Sequence, residues 1–333
     1  MTNTLDELRS SLEKVVDMID ESLLLRTDDA TTLSVLDKST TPLDFSQSTS
    51  LLDKCDNVEE QYRDSKPTIR VIHHLSCSGG TLVSKCIASM PNVFLLSEVH
   101  PSTDFHLASS KPRFSPSDVA GLARYANVPM QKELSKKIFL ENIKMTAQHI
   151  KSYGGKLVLR EHTHSDYLLG TKESEQSAVI DALSDDFEVN SVLTIRNPLD
   201  AYAALLKNKW LHFEPDNFDE YCRRFITLVE RYDKNIIFRF EDLISEPTKE
   251  MRKICSVLKI SFSDSFEDIF DVFKVTGNSG RSSSTIDKRT SLASNELVKQ
   301  CHASQYFKKI CDSGWYEMPV IESNQAEGES SHI

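Results

Sequence analysis

The segment Ser76-Cys77-Ser78-Gly79-Gly80-Thr81-Leu82 follows an apolar run over 71–75, and a helical pattern begins directly after it. A buried strand that enters a turn of small residues and leaves as a helix aims several backbone N–H groups and a helix N-terminus at one point. Such a point binds anions. Gly79 and Gly80 let the backbone approach an oxyanion, and the Thr81 hydroxyl is a further donor. The G-x-x-x-x-G-K-[ST] spacing and its Lys are absent, which speaks against an ATPase or GTPase loop. Taken alone, the segment is equally a structural strand–turn–helix.

A second signal is the apolar stretch Ser191-Val192-Leu193-Thr194-Ile195, which ends in Arg196-Asn197-Pro198. Pro198 stands where a helix starts. An Arg at the carboxyl end of a central parallel strand lies where open α/β sheets bind ligands, and its fork suits a phosphate. A third strand end, Leu157-Val158-Leu159-Arg160-Glu161-His162-Thr163-His164, brings further titratable groups to the same edge. There Arg160 is a candidate anion ligand, and His162 or His164 could assist an acceptor. Strand-end histidines also cap loops, so both readings stand. Positions 162 and 164 have no third ligand at a recognisable spacing, so no metal site is expected.

Together these segments resemble the sulfotransferase family, and more narrowly its bacterial and tyrosylprotein-type branch. The similarity runs through residues 77–82, Met90-Pro91-Asn92-Val93, Ser97-Glu98-Val99-His100-Pro101, 191–200, Phe238-Arg239-Phe240-Glu241-Asp242-Leu243 and Thr276-Gly277-Asn278-Ser279-Gly280-Arg281-Ser282. These segments lie in the family order within residues 70–316. The resemblance implies a three-layer α/β fold of the P-loop-NTPase-like sulfotransferase type, with a central parallel sheet of about five strands flanked by helices. It implies a loop that binds the 5′-phosphosulfate of 3′-phosphoadenosine 5′-phosphosulfate (PAPS), formed here by Ser76, Cys77, Ser78, Gly79, Gly80, Thr81 and Leu82. It implies Arg196 on the donor's 3′-phosphate, with Gly280 and Arg281 in a late loop over the donor that also brings Lys288 and Arg289. Glu98 falls on the position of the branch's catalytic base, with His164 as its alternate, and the 238–243 segment is read as structural.

Two positions depart from the family pattern. Cys77 stands where the family has Lys or Arg, and Ala204 where it has a Ser that helps hold the 3′-phosphate. A cation lost from the loop would cost roughly 10²–10³ in rate, by analogy with a lost oxyanion donor. His74 is the better of the flanking residues to supply a donor, and Lys85, one to two turns into the helix, points away. Cys77, beside a helix N-terminus, is also a candidate low-pKa thiol. The favoured function is sulfuryl transfer from PAPS to a hydroxyl or amine on a small molecule or peptide. The alternatives are a PAPS- or nucleotide-binding module that has lost catalysis, and a P-loop phosphotransferase.

The elements that must position these residues follow from hydrophobic periodicity. Strands are expected over 70–75, 93–96, 156–160, 191–195 and 236–240. Helices are expected near 80–90, 131–152, 174–183, 199–210, 217–233, 247–258, 263–273 and 295–312. Segments 102–130 and 211–217 are expected to be mobile and to meet the acceptor. Residues 1–25 contain an amphipathic helix, a candidate for self-association. Residues 26–66 read as a polar linker or arm, 67–316 as the α/β domain, and 317–333 as a disordered acidic tail.

The 333 residues, 39% hydrophobic with 16 Phe, can build a packed core and exclude a disordered or collagen-like chain. Of the net charge of −11, residues 1–66 carry −8 and 317–333 carry −4, leaving the body near +1. An acidic pI therefore does not argue against an anionic ligand in the body, and no basic nucleic-acid stripe exists. The seven cysteines form no C-x-x-C pair, which argues for reduced thiols rather than disulfides or zinc. With no apolar run near ~20 residues and no basic-apolar leader, a cytoplasmic protein without a membrane span is expected.

Overall fold

The computed structural model describes residues 66–103, 114–277, 285–287 and 292–321. The chain divides into two units, Met1–Pro67 and Thr68–Ile333, and all the strands and helices of the described fold belong to the second. The expected N-terminal helix, the expected arm up to residue 65 and the expected tail from residue 322 lie outside the described residues, as do Gly280, Arg281, Lys288 and Arg289.

The elements run β1 (Thr68–His74), α1 (Gly80–Ala88), β2 (Val93–Val99), α2 (Val119–Tyr125), α3 (Gln131–Ser152), β3 (Lys156–Glu161), α4 (His164–Tyr167), β4 (Leu169–Gly170), α5 (Ala178–Leu183), β5 (Glu188–Ile195), α6 (Pro198–Asn208), β6 (His212–Phe213), α7 (Phe218–Val229), β7 (Ile237–Arg239), α8 (Phe240–Ser245), α9 (Pro247–Val257), α10 (Phe266–Ile269), α11 (Asn295–Ala303) and α12 (Gln305–Asp312). Five strands form one parallel sheet in the order β2-β3-β1-β5-β7. Chain order reverses at β1, so the crevice beyond the carboxyl ends of β1, β3 and β5 is where such a sheet receives a ligand.

Near-continuous apolar runs make these strands because both faces are covered. Ile69 and Val71 of β1 pack with Ile143, Leu157, Leu159 and Val179 on the α3/α5 face. Ile72 packs with Leu82, Val158, Val192, Met251 and Ile254 on the α1/α9 face. Each of the three β1 side chains is fully buried, worth roughly 1.5–3 kcal/mol apiece. A third cluster joins α6, α7, α11 and α12 through Tyr202, Phe218, Phe225, Leu297 and Phe307. This is the expected three-layer α/β arrangement with a five-stranded parallel sheet.

Differences from the sequence expectation have local causes. The expected helix over 295–312 is two helices, because Ser304 sits in extended conformation between them and caps the second through Phe307 N. The helix expected from 174 starts at Ala178, where the Ser177 hydroxyl accepts from Ile180 N. Segments expected only as acceptor-facing loops contain α2 and β6, the latter paired with β4.

A buried polar network ties the carboxyl ends of β1 and β3 together. Glu161, fully buried, takes His73 Nδ1 at 2.5 Å, the Thr163 hydroxyl at 3.1 Å and the Ser177 hydroxyl. His73 Nε2 meets Ser191 Oγ at 3.1 Å, so the network also reaches β5. Burial pushes Glu161 up, but His73, Ser177 and Thr163 together hold it below the usual carboxylate value. A group depressed on folding adds stability that is complete above its unfolded pKa and lost as pH falls through its folded one. Glu161→Ala should therefore destabilise the domain by ~3–5 kcal/mol at neutral pH, as expected for one partner of a buried pair. The penalty should shrink as the medium is acidified below the ordinary Glu range. Urea unfolding at pH 7 and pH 4 measures both, and a loss below ~1 kcal/mol at pH 7 would contradict this role.

Candidate active site

The chain leaves β1 at His74 and enters α1 at Gly80 through a turn in which Cys77 and Gly79 have φ of +65° and +88°. Leu82 N and Val83 N bond the Gly79 carbonyl, at 2.9 and 3.3 Å, and Ser78 N bonds the Leu75 carbonyl at 3.3 Å. The Ser78 hydroxyl also donates to Leu75 O, and the Leu82 side chain is fully buried. Ser78 and Leu82 thus spend their polar groups on the turn itself. Among the described residues, the amides of Gly79, Gly80 and Thr81 are left at the helix N-terminus, where unpaired N–H groups and the dipole favour an anion. The His74 ring lies over this end: a Cβ on Gly80 would come within 2.0 Å of His74 Cδ2, so only glycine fits.

The neighbouring strand completes the site. Arg160, opposite Ile72 of β1 and Ser97 of β2, is buried with its side chain 4% exposed. Its Nε and Nη2 lie 3.1 and 2.8 Å from His74 Nε2, its Nη2 lies 2.7 Å from Glu98 Oε1, and its Nη1 donates to Ser97 Oγ at 3.1 Å. His74 is therefore an acceptor at Nε2, and burial followed by the Arg160 charge holds it well below its usual pKa. It is a neutral ring that orients a guanidinium. Burial raises Glu98 and Arg160 opposes that rise. Glu98 sits where the β2–β3 register shifts, with φ +62°, a backbone state that costs a non-glycine residue ~1–3 kcal/mol and clusters at functional sites.

A strap crosses these groups. The Thr276 carbonyl accepts from Arg160 Nη1 and Ser97 Oγ, both at 3.1 Å, and the Thr276 hydroxyl donates to Ser97 O at 2.7 Å. The Thr81 hydroxyl donates to Gly277 O at 3.3 Å. Gly277 has φ +66°, and a Cβ there would come within 2.2 Å of Glu98 Oε1. The strap thereby meets both the Glu98 carboxylate and the Thr81 hydroxyl.

Arg196, just past β5, reaches the same turn: its Nη1 donates to Cys77 O at 3.0 Å, and the guanidinium lies 5.6 Å from the Phe240 ring centroid. Asn197 caps α6 through Leu199 N, and its own N–H donates to Glu241 Oε1 at 2.8 Å. Glu241 is thus structural, as expected. Ser76 Oγ meets His164 Nδ1 at 2.8 Å, which joins the turn to the start of α4.

The family description "Sulfotransferase family" matches residues 71–264. The chain belongs to the sulfotransferase family. Similar solved structures include the sulfotransferase domain from the curacin biosynthetic pathway, 15% identical over 77% of this chain and 100% of that one, with a TM-score of 0.48. The sulfotransferase domain of the Synechococcus PCC 7002 olefin synthase is 14% identical over 77% and 98%, with a TM-score of 0.44. A sulfotransferase from Alicyclobacillus acidocaldarius is 12% identical over 75% and 99%, with a TM-score of 0.35. No curated protein sequence matches the chain.

One expectation about this sulfotransferase needs correction. The Cys77 thiol is not acidified by its place beside α1. Burial raises its pKa, and the Asn208 amide at 3.6 Å and the Arg196 charge only partly offset that. Arg160, Thr276 and Gly277 carry more of the site than their sequence context indicates. Their signal is a charged residue ending one apolar strand and a Thr-Gly pair in a late loop, neither of which names its neighbours. Iodoacetamide labelling of Cys77, followed peptide by peptide, should accelerate with pH and still be rising at pH 8.5, the ordinary thiol midpoint. A plateau near pH 7 would restore the low-pKa thiol.

Proposed function

We propose that this sulfotransferase moves a sulfuryl group from PAPS to a hydroxyl or amine on a small molecule or peptide in the cytoplasm. The observation that carries the reading is the convergence of Glu98, Arg160 and the open N-terminus of α1 beneath the Thr276–Gly277 strap. The amides of Gly79, Gly80 and Thr81 would hold the 5′-phosphosulfate. Arg196 has donors beyond the one on Cys77 O and would take the 3′-phosphate. Glu98 would accept the acceptor's proton as its oxygen or nitrogen attacks sulfur in line with the departing phosphate.

The reading of a binding module without catalysis rests on Ala204, which lacks the expected hydroxyl, and on Cys77, which leaves the loop without a cation. Arg160 answers the missing cation, because a guanidinium reaches the same turn through His74 from the adjacent strand. In this reading Arg160 supplies the charge that neutralises the transferring group, and Glu98 is its counter-ion in the absence of donor.

Glu98→Gln should lower kcat by ~10²–10⁴-fold while leaving affinity for 3′-phosphoadenosine 5′-phosphate nearly intact, since a base acts in the chemical step. In the wild type, kcat/KM should rise with pH through a limb above the ordinary Glu range, because burial raises Glu98. Arg160→Gln removes the opposing cation and should move that limb higher. A steady-state pH profile on the three proteins checks this, and an active enzyme indifferent to Glu98→Gln would remove the base assignment.

Arg196 should carry an unusually large share of 3′-phosphate recognition, because Ala204 offers no hydroxyl. Charge-assisted hydrogen bonds contribute ~1.5–3 kcal/mol, or roughly ten- to a hundredfold in affinity. Calorimetry should find 3′-phosphoadenosine 5′-phosphate bound at least ~10-fold more tightly than AMP, with Arg196→Ala erasing most of the gap. Equal wild-type affinities would overturn the PAPS assignment for enzyme and binding module alike.

A further inference from the structure

Sulfuryl transfer leaves the acceptor's proton on Glu98, whose side chain is only 21% exposed and is covered by Gly277. A line of polar atoms leads away from it. Glu98 Oε2 lies 3.6 Å from His162 Nε2. The other ring nitrogen, His162 Nδ1, lies 2.6 Å from Ser165 Oγ, which lies 2.7 Å from Thr103 Oγ1. Thr103 forms part of the wall of a cavity of about 220 Å³ that His100, Ser102, Asp118 and Arg124 also line. We infer that His162 is the proton partner of Glu98 and that Ser165 and Thr103 carry the proton on to this cavity. The inference rests on the sulfuryl-transfer reading.

The step balances. The acceptor oxygen forms its bond to sulfur, the bridging S–O bond breaks with its electron pair left on the 5′-phosphate, and the hydroxyl proton goes to Glu98. Glu98 then passes the proton to His162 Nε2, the Nδ1 proton leaves through Ser165 Oγ as the Ser165 proton moves to Thr103 Oγ1, and the Thr103 proton passes to water entering the cavity. At 3.6 Å the first link is an ion-pair separation, and catalytic contacts of this kind tighten when substrate binds. The last two links are already short hydrogen bonds.

The groups around His162 bear on its charge. Glu98 on β2 favours the imidazolium. Arg160 on β3 is bound to Glu98 and partly cancels it. His74 on β1 interacts electrostatically with His162, and the His164 ring on α4 lies 5.8 Å away. Burial raises Glu98 above its ordinary value and Arg160 opposes that rise.

His162→Gln should lower kcat by roughly 10²-fold with little change in donor KM, and free imidazole in the buffer should restore a large part of the loss. Ser165→Ala should give a smaller loss that also responds to buffer. Calorimetric binding of 3′-phosphoadenosine 5′-phosphate verifies that each variant keeps its site. Wild-type turnover in His162→Gln would overturn the relay while leaving the proposed function intact. A readout independent of turnover comes from NMR titration of the His162 ring: Glu98→Gln should lower its pKa by at least ~1 unit, as loss of an adjacent carboxylate requires. A His162 titration unmoved by Glu98→Gln would overturn the relay even if no acceptor were found, whereas a wild type inactive on every acceptor would count against the function itself.

Discussion

Arg160 carries a charge that folding removes from water, and the candidate site consists largely of the groups this charge requires. An unpaired buried guanidinium would cost several kcal/mol. β3 runs between β1 and β2, so the side chain finds His74 on one neighbour and Ser97 and Glu98 on the other, with the Thr276 carbonyl above. Each of these groups is constrained in turn. His74 must stay neutral to accept, Glu98 keeps an unfavourable φ to hold its carboxylate in reach, and residue 277 must be glycine to lie against it. The strain at Glu98 is offset by the ion pair rather than by backbone preference.

Strand alternation separates this candidate-site network from the Glu161 one on the opposite face. Consecutive strand residues face opposite sides of the sheet, and β1 and β3 both end in adjacent polar pairs, His73-His74 and Arg160-Glu161. His74 and Arg160 meet over α1, while His73 and Glu161 meet on the other face beside Ser177 at the start of α5. Two opposite charges leave β3 back to back, each with its own imidazole. The sheet edge can therefore hold four titratable side chains in its interior with a hydrogen-bond partner for each. The Thr163 hydroxyl bridges the two sides, since it donates to Glu161 and accepts from His74 N at 3.2 Å.

The strands were legible in the sequence because burial on both faces demands continuous apolar runs, and Arg196-Asn197-Pro198 announced a strand end and a helix start together. Helix ends were less legible: Ser304 interrupts an amphipathic pattern that continues across it, and only its bond to Asp219 on α7, at 2.5 Å, reveals why. The role of Arg160 was not legible as more than a candidate anion ligand, because it depends on β3 standing between β1 and β2, and strand order is not written in periodicity. The thiol of Cys77 misled for a related reason. Its sequence neighbours suggest a helix dipole, whereas the shielding that raises its pKa comes from packing that the linear order does not display.

Placing the cation on β3 instead of at position 77 has a consequence for how base and donor are coupled in the sulfuryl-transfer reading. A cation at 77 would stand beside Arg196, which already holds the Cys77 carbonyl, and two such charges at close range repel. Arg160 avoids that conflict because Glu98 neutralises it until the donor arrives. An incoming phosphosulfate would compete with Glu98 for the same guanidinium. As Arg160 turns its charge toward the donor, Glu98 loses the interaction that stabilises its ionised form, while burial continues to disfavour that form. The carboxylate becomes a stronger base when the transferable group is in place, and stays quenched by its ion pair when it is not.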